Sequence, residues 1–217
     1  MNSFTKQLWQ STRDIYKAII AHPFNTELAQ GTLAIEKFQY YVQQDELYIQ
    51  AYAHALNILS VKAPASAISN DLLSYANDGI LVEKALHDHF FLKFKISPAP
   101  EAQPACFSYI NFLLATTALQ PFEIGVSALL PCFWIYREVG VHISRKASPN
   151  NPFQPWIDTY IDDDYSRDVD RMIEITDKTA AAASGEVKLH MQRVFAESVR
   201  LEFVFWDAAY RLEKWVL

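Results

Sequence analysis

The sequence predicts an all-α helical bundle forming a single domain over residues 1–217. Three observations point there. Glycine is scarce, with 5 in 217 residues, which leaves few positions suited to the primed turns of β-hairpins. The 10 prolines gather between long stretches of chain. Those stretches repeat their apolar residues with the 3.6-residue period of a helix face. At this length about 70% of the unfolded chain's surface can be buried, so a core can form without disulfide or metal staples.

The elements follow in order. Ser3 serves as the N-cap of a first helix that reaches His22, with Leu8, Ile15 and Ile19 facing inward and Pro23 as its stop. His22 itself reads as a C-terminal cap. A second helix begins after Gly31 and Thr32 and continues to Ala63 and Pro64; its inner stripe is Phe38, Tyr41, Val42, Asp45, Tyr48, Ile49, Tyr52 and Leu56. A third spans Ser66 to Phe94. Beyond the proline-rich loop from Pro98 to Pro104, a fourth covers Ala105 to Leu119, and Pro121 at N1 opens a fifth. That fifth helix contains Pro131, whose missing N–H and bulky ring predict a kink beside Cys132. Pro149, Pro152 and Pro155 mark a loop into a short helix from Trp156 to Tyr160. Asp162, Asp163 and Asp164 suit the positive N-terminal end of the next helix. The last runs from Ser184 to Trp215.

Composition excludes several kinds of function. Gly31, Gly79, Gly125, Gly140 and Gly185 are too widely spaced for a GxGxxG dinucleotide turn or a GxxxxGK phosphate loop. Cys106 and Cys132 are too few for a Cys-rich zinc site or a disulfide scaffold, and they suit a reducing cytoplasm. Charged residues interrupt the N-terminal apolar pattern, and no run of about 18 uncharged apolar residues occurs. Neither a signal peptide nor a membrane span is expected. The net charge of −6, without a run of Lys or Arg, argues against nucleic acid as the main partner. A small molecule or a protein surface fits better.

The apolar stripes are broken at three places, and a buried carboxylate costs stability unless something uses it. Glu202 shares a face with Phe195, Val199, Trp206 and Ala209. Asp45 lies one turn from Tyr41 and Ile49. Cys132 lies between Leu129 and Tyr136. Taken singly, each has a structural explanation: cysteine is commonly a small core residue, Asp45 can bond a tyrosine, and Glu202 can pair with Arg200 or Arg211. Together, two carboxylates, a thiol and several tyrosines on inward faces of different helices describe a polar pocket with aromatic walls. Such walls suit a flat heterocycle, a carboxylate suits its exocyclic amine, and a thiol can attack it. Burial among aromatics would also keep a glutamate protonated near neutral pH.

Histidine offers a competing arrangement. Glu83 and His87, Glu138 and His142, and Glu186 and His190 are each four apart. Di-iron bundles use Glu-x-x-His, with a spacing of three. No such pair occurs here.

Five ordered blocks carry a resemblance over nearly the whole chain: HPF at His22, GTLAIEKFQYYVQQDELYIQAYAHAL, LLPCFWIY, NPFQPWIDTYIDDDY and VRLEFVFWDAAY. On these the chain resembles the TenA family of thiaminase II enzymes, in the subgroup with an active-site cysteine. The resemblance implies a haem oxygenase-like bundle, assembly as a homotetramer and no metal or organic cofactor. It implies hydrolysis of 4-amino-5-aminomethyl-2-methylpyrimidine, and of thiamine, to 4-amino-5-hydroxymethyl-2-methylpyrimidine in thiamine salvage. By motif, Cys132 resembles the nucleophile and Glu202 the acid-base. Asp45 resembles the carboxylate that holds the 4-amino group, while Tyr48, Tyr136, Tyr160 and, more loosely, Tyr109 match pocket tyrosines. Glu46, Phe133 and Asp164 depart from the family pattern, the first two as expected modifiers of the pocket wall. The alternatives from other classes are an oxygen-dependent oxidase on the same bundle and a non-catalytic pyrimidine-binding or regulatory protein.

Overall fold

A computed structural model describes residues 3–99 and 101–216, apart from the side chains at 80, 82–84 and 87. Regular structure among the described residues is entirely helical: α1 (Phe4–Ala21), α2 (Pro23–Gln30), α3 (Ile35–Ser60), α4 (Ser66–Phe94), α5 (Pro104–Leu119), α6 (Phe122–Ser144), α7 (Gln154–Tyr160), α8 (Asp163–Ala182) and α9 (Gly185–Arg211). The expected all-α bundle is what the chain forms.

α6 is the axis of the bundle. Every residue from Ile124 to Tyr136 is buried, because α5, α7, α8 and α9 all pack on this helix, and a helix enclosed on all sides is apolar all round. By length and composition alone α6 is apolar enough to cross a membrane, yet 78% of that window is buried inside the protein. Its central place accounts for its composition. α3 lies against α4 and α5, and α1 against α9. Aromatic side chains fill the junctions: Tyr41 stacks on Trp206 with centroids 5.0 Å apart, and Phe38 meets Phe153 at 4.5 Å.

Most boundaries follow the local chemistry expected of them. Ser3 Oγ accepts from Lys6 N at the start of α1, Asp162 accepts from Asp164 N and Tyr165 N at α8, and Ser184 accepts from Val187 N at α9. Pro23 stops α1 as expected, but it also occupies N1 of a further helix, α2, and His22 serves both helices, its N–H bonding Ile19 O and its Nδ1 accepting from Phe24 N. Gly31, at φ 70°, then closes α2 in the left-handed conformation. Pro121 is the N-cap of α6 rather than its first residue. α9 stops at Arg211, not Trp215, because Leu212 adopts φ 54° and its N–H bonds back to Ala208 and Ala209. The chain beyond folds over the start of α5, where Glu213 Oε2 accepts from Ala105 N and Trp215 Nε1 donates to Ala102 O.

Candidate active site

The pocket is built where α6 faces α3. Thirteen residues along α6 are buried without a break, and Cys132 is the one among them bearing a thiol, 9% exposed. It opens onto a cavity of about 520 Å³, mouth included, between α3, α4, α6, α7 and α8. The cavity's walls are chiefly aromatic. Tyr48 and Tyr52 come from α3, Tyr75 from α4, Phe133 and Tyr136 from α6, Tyr160 from α7 and Tyr165 from α8. Asp45 supplies a carboxyl to the lining.

The tyrosines are held by partners behind them. Trp156 Nε1 donates to Tyr41 Oη at 3.3 Å, and Tyr41 Oη donates to Tyr136 Oη at 3.4 Å. Tyr136 therefore accepts from behind. Tyr160 packs on Tyr136 with centroids 5.0 Å apart, and it stands close because Gly140 of α6 has no side chain: a Cβ there would lie 2.7 Å from Tyr160 Cβ and 3.1 Å from its carbonyl oxygen. The Tyr48 hydroxyl is buried without a well-formed hydrogen bond. Burial is the main cause that holds the Tyr48, Tyr52, Tyr109 and Tyr136 phenols well above their ordinary pKa, so all four stay protonated at neutral pH.

Glu202 and Tyr109 lie in a layer behind this wall rather than on it. Tyr109 Oη donates to Glu202 Oε1 at 2.7 Å and lies 2.8 Å from Ser198 Oγ, and the Tyr109 ring packs on Tyr48 at 4.9 Å. Burial is the largest influence on Glu202 and pushes its carboxyl up to about 8; the Asp45 carboxyl adds to this, and the Tyr109 hydrogen bond opposes it. A protonated acid at neutral pH is the consequence. The surface pairing considered for Glu202 does not form, since Arg200 bonds Glu197 and Arg211 bonds Asp207.

The inward stripes thus bring Cys132, Asp45, Tyr48, Tyr136 and Tyr160 to one cavity, with Glu202 and Tyr109 joined just behind it. Cys106 behaves as packing: its Sγ donates to Gln44 O at 3.4 Å, and burial raises its thiol to about 12. Glu46 is half-buried and does not line the pocket, whereas Phe133 does. Of the glutamate-histidine pairs, Glu138 turns to Arg137, 3.2 Å away, and Glu83 and His87 lie outside the described side chains. Tyr75, Gly79, Tyr165 and Ser198 were not foreseen. Only Ser198 left a signal: it sits four residues before Glu202 on the same face.

Outside the pocket lies a second, open cleft of about 1590 Å³, sharing Tyr75, Gly79, Phe133 and Tyr165 with it. Asp78, Asp158, Asp162, Asp164 and Asp168 line this cleft with Arg167, which pairs with Asp164. Burial, then the neighbouring Asp78, raises the Asp168 carboxyl.

Known proteins share this architecture. An aminopyrimidine aminohydrolase of Bacillus subtilis is 30% identical over 98% of this chain and 92% of its own length. The thiamine biosynthesis multifunctional protein ThiED of Corynebacterium efficiens is 29% identical over 96% of this chain, which spans only 28% of that longer protein. Among solved structures, a TenA homologue from P. horikoshii OT3 superposes with a TM-score of 0.87 at 28% identity, covering 97% of this chain and 99% of that one. A haem oxygenase-like domain from Shewanella denitrificans, 12% identical, shares the fold alone, with a TM-score of 0.72 over 96% of this chain and 92% of its own. The TENA/THI-4/PQQC family model matches residues 9–212, which takes in every helix that builds the pocket, and the chain belongs to that family.

Proposed function

We propose that the protein hydrolyses 4-amino-5-aminomethyl-2-methylpyrimidine, and thiamine, to 4-amino-5-hydroxymethyl-2-methylpyrimidine in thiamine salvage. The observation that carries this reading is the cavity in which Cys132 and Asp45 share one aromatic enclosure with Glu202 directly behind. The name of the Bacillus subtilis relative, aminopyrimidine aminohydrolase, supports it.

The chemistry follows from the groups present. Asp45 accepts a hydrogen bond from the 4-amino group of a pyrimidine ring lying between the tyrosines. Cys132 Sγ forms a bond to a ring carbon as its S–H bond breaks, the thiol proton going to the leaving amine of the aminomethylpyrimidine or, with thiamine, to solvent; the displaced ring electron pair goes to a ring nitrogen, which takes the Glu202 proton. The ring can then push its electrons outward: the methylene C–N bond breaks, and the amine leaves with that pair as ammonia, or as the thiazole when thiamine is the substrate. Water adds to the exocyclic methylene and gives a proton back to the Glu202 carboxylate, the C–S bond breaks as aromaticity returns, and the ring-nitrogen proton returns to the Cys132 thiol. Substrate and water become alcohol and amine, and the enzyme is unchanged. A carboxyl held near pKa 8 suits this exchange, because it can lose and regain a proton around neutral pH.

One helical domain, residues 1–217, carries this activity as a homotetramer in the cytoplasm. Sedimentation equilibrium tests the assembly; a monomer in solution refutes it. For the activity, purified protein is incubated with the aminomethylpyrimidine and, separately, with thiamine, and the hydroxymethylpyrimidine is followed by chromatography. Absence of product from both substrates overturns the reading.

A further inference from the structure

The turn of α6 that carries Cys132 follows an interior proline. Pro131 has no N–H, so the carbonyl of Ser127 lacks its helical donor. Two tyrosines from other helices bracket this turn. Tyr52 of α3 donates from Oη to Leu129 O at 2.8 Å, and Tyr165 of α8 donates from Oη to Phe133 O at 3.0 Å. The two carbonyls are one helical turn apart, with Cys132 between them. A carbonyl in a helix points toward the residues three and four positions ahead, so Leu129 O lies at the base of Cys132 and Phe133.

Neither bond is demanded by the carbonyls, which in a helix already accept from the N–H four residues on. Burial explains why the Tyr52 hydroxyl needs a partner. It does not explain Tyr165, which is half-exposed and could satisfy its hydroxyl with water. Both rings also enclose Phe133, with centroids at 5.8 Å for Tyr52 and 6.4 Å for Tyr165. A third tie, from Ser127 Oγ to Met191 O at 2.9 Å, anchors the preceding turn to α9.

We propose that Tyr52 and Tyr165 are positioning residues that clamp the proline-weakened turn of α6 at its two ends and so fix the direction in which the Cys132 thiol enters the pocket. Their part in turnover rests on the hydrolase reading; their effect on the thiol does not. A clamp of this kind matters because misplacing a reacting atom by about 1 Å can cost about 100-fold in rate.

The test uses Tyr52→Phe and Tyr165→Phe, which remove one hydroxyl each and keep the ring. Two quantities are read: steady-state kinetics with the aminomethylpyrimidine, and the rate of Cys132 alkylation by iodoacetamide at fixed pH, followed by peptide mass spectrometry. The expected result is a fall in kcat of about 10-fold with KM within about 2-fold, and a rise of at least about 3-fold in Cys132 alkylation as the thiol gains freedom. Alkylation of Cys106, on α5, stays as in the wild type. Unchanged Cys132 alkylation overturns the proposal, whatever happens to turnover; so does a loss expressed in KM alone, which makes the tyrosines substrate contacts. If the wild type hydrolyses neither substrate, the hydrolase reading fails and alkylation still decides the clamp. Should Tyr52→Phe not fold, Tyr165→Phe at its half-exposed position decides alone.

Discussion

Replacing Glu202 with glutamine makes the raised carboxyl measurable as a pH-dependent stability. The side chain keeps its shape, and its amide oxygen can still accept from Tyr109 Oη, 2.7 Å away in the wild type. What disappears is the titration. In the native protein the proton is held up to about pH 8, against an ordinary value of 4.5, with burial as the main cause. Between those two values the unfolded chain has lost its proton and the native one has kept it, so the native state binds more protons and wild-type stability falls as pH rises. The Glu202 contribution is fully present below pH 4.5 and is lost by the time pH has passed 8. At about 1.4 kcal/mol per pH unit this interval corresponds to at most about 5 kcal/mol. All other groups are shared by the two proteins, so the stability of Glu202→Gln minus that of the wild type isolates the effect. Urea denaturation at pH 5, 6, 7 and 8 should show the variant gaining steadily on the wild type, then level off above pH 8. Parallel curves across that range would refute a protonated Glu202, and with it the proposed proton donor. The same variant should lose at least about 100-fold in hydrolysis, the usual scale of a general acid-base contribution.

Other perturbations test other parts of the site. Cys132→Ser should fold like the wild type and lose at least about 1000-fold in turnover of both substrates; chromatographic assay with retained helical circular dichroism checks this, and near-normal turnover removes the nucleophile. Gly140→Ala should destabilise by about 1–3 kcal/mol, because the new Cβ meets Tyr160 Cβ at 2.7 Å and its carbonyl at 3.1 Å, a backbone contact that cannot yield cheaply. It should also raise KM by displacing Tyr160, whereas Gly185→Ala, with nothing within 4 Å, should change neither property. The acidic cleft outside the pocket predicts that raising ionic strength from about 0.05 to about 0.5 M weakens capture of the cationic aminomethylpyrimidine, with KM rising several-fold. Inhibition by the neutral hydroxymethyl product should stay constant. Equal salt responses of the two would discount the cleft.

The parts of this molecule that could be read from sequence are those governed by helical period and local caps. Ser3, Ser184 and the stripe from Phe38 to Leu56 obey rules that act within one or two turns, and α4 emerged with both ends as expected. What escaped depends on contacts across sequence. Pro23 looks the same whether it ends a helix or begins one; the difference lies in His22, whose ring turns back to cap α2. α9 looked apolar enough to reach Trp215, but tertiary contacts of Glu213 and Trp215 with the start of α5 favour an earlier stop.

The site divides along the same line. Cys132, Asp45 and Glu202 were visible because a polar residue in an apolar stripe is an exception at its own position, and the exception can be seen without knowing the neighbour. Tyr75 and Tyr165 are ordinary aromatics in sequence, and their place in the pocket wall arises only from how α4 packs on α3 and α8 on α6. Glu202 shows the limit most clearly. Its stripe marked it as buried, yet a carboxyl in that stripe is equally compatible with facing the cavity or lying behind it. The structure puts it behind, bonded to Tyr109, whose ring packs on Tyr48. That arrangement has a kinetic consequence. A donor facing the cavity would act directly on the substrate, and Tyr109→Phe would barely matter. A donor behind the wall depends on its hydrogen-bonded neighbour to hold its orientation, so Tyr109→Phe should lower kcat by about 10-fold while the Glu202 carboxyl, freed of a bond that favours its charged form, titrates at still higher pH. The alkaline limb of the kcat profile should then move upward in Tyr109→Phe. A limb that stays in place, with kcat intact, would mean that Glu202 reaches the substrate without Tyr109.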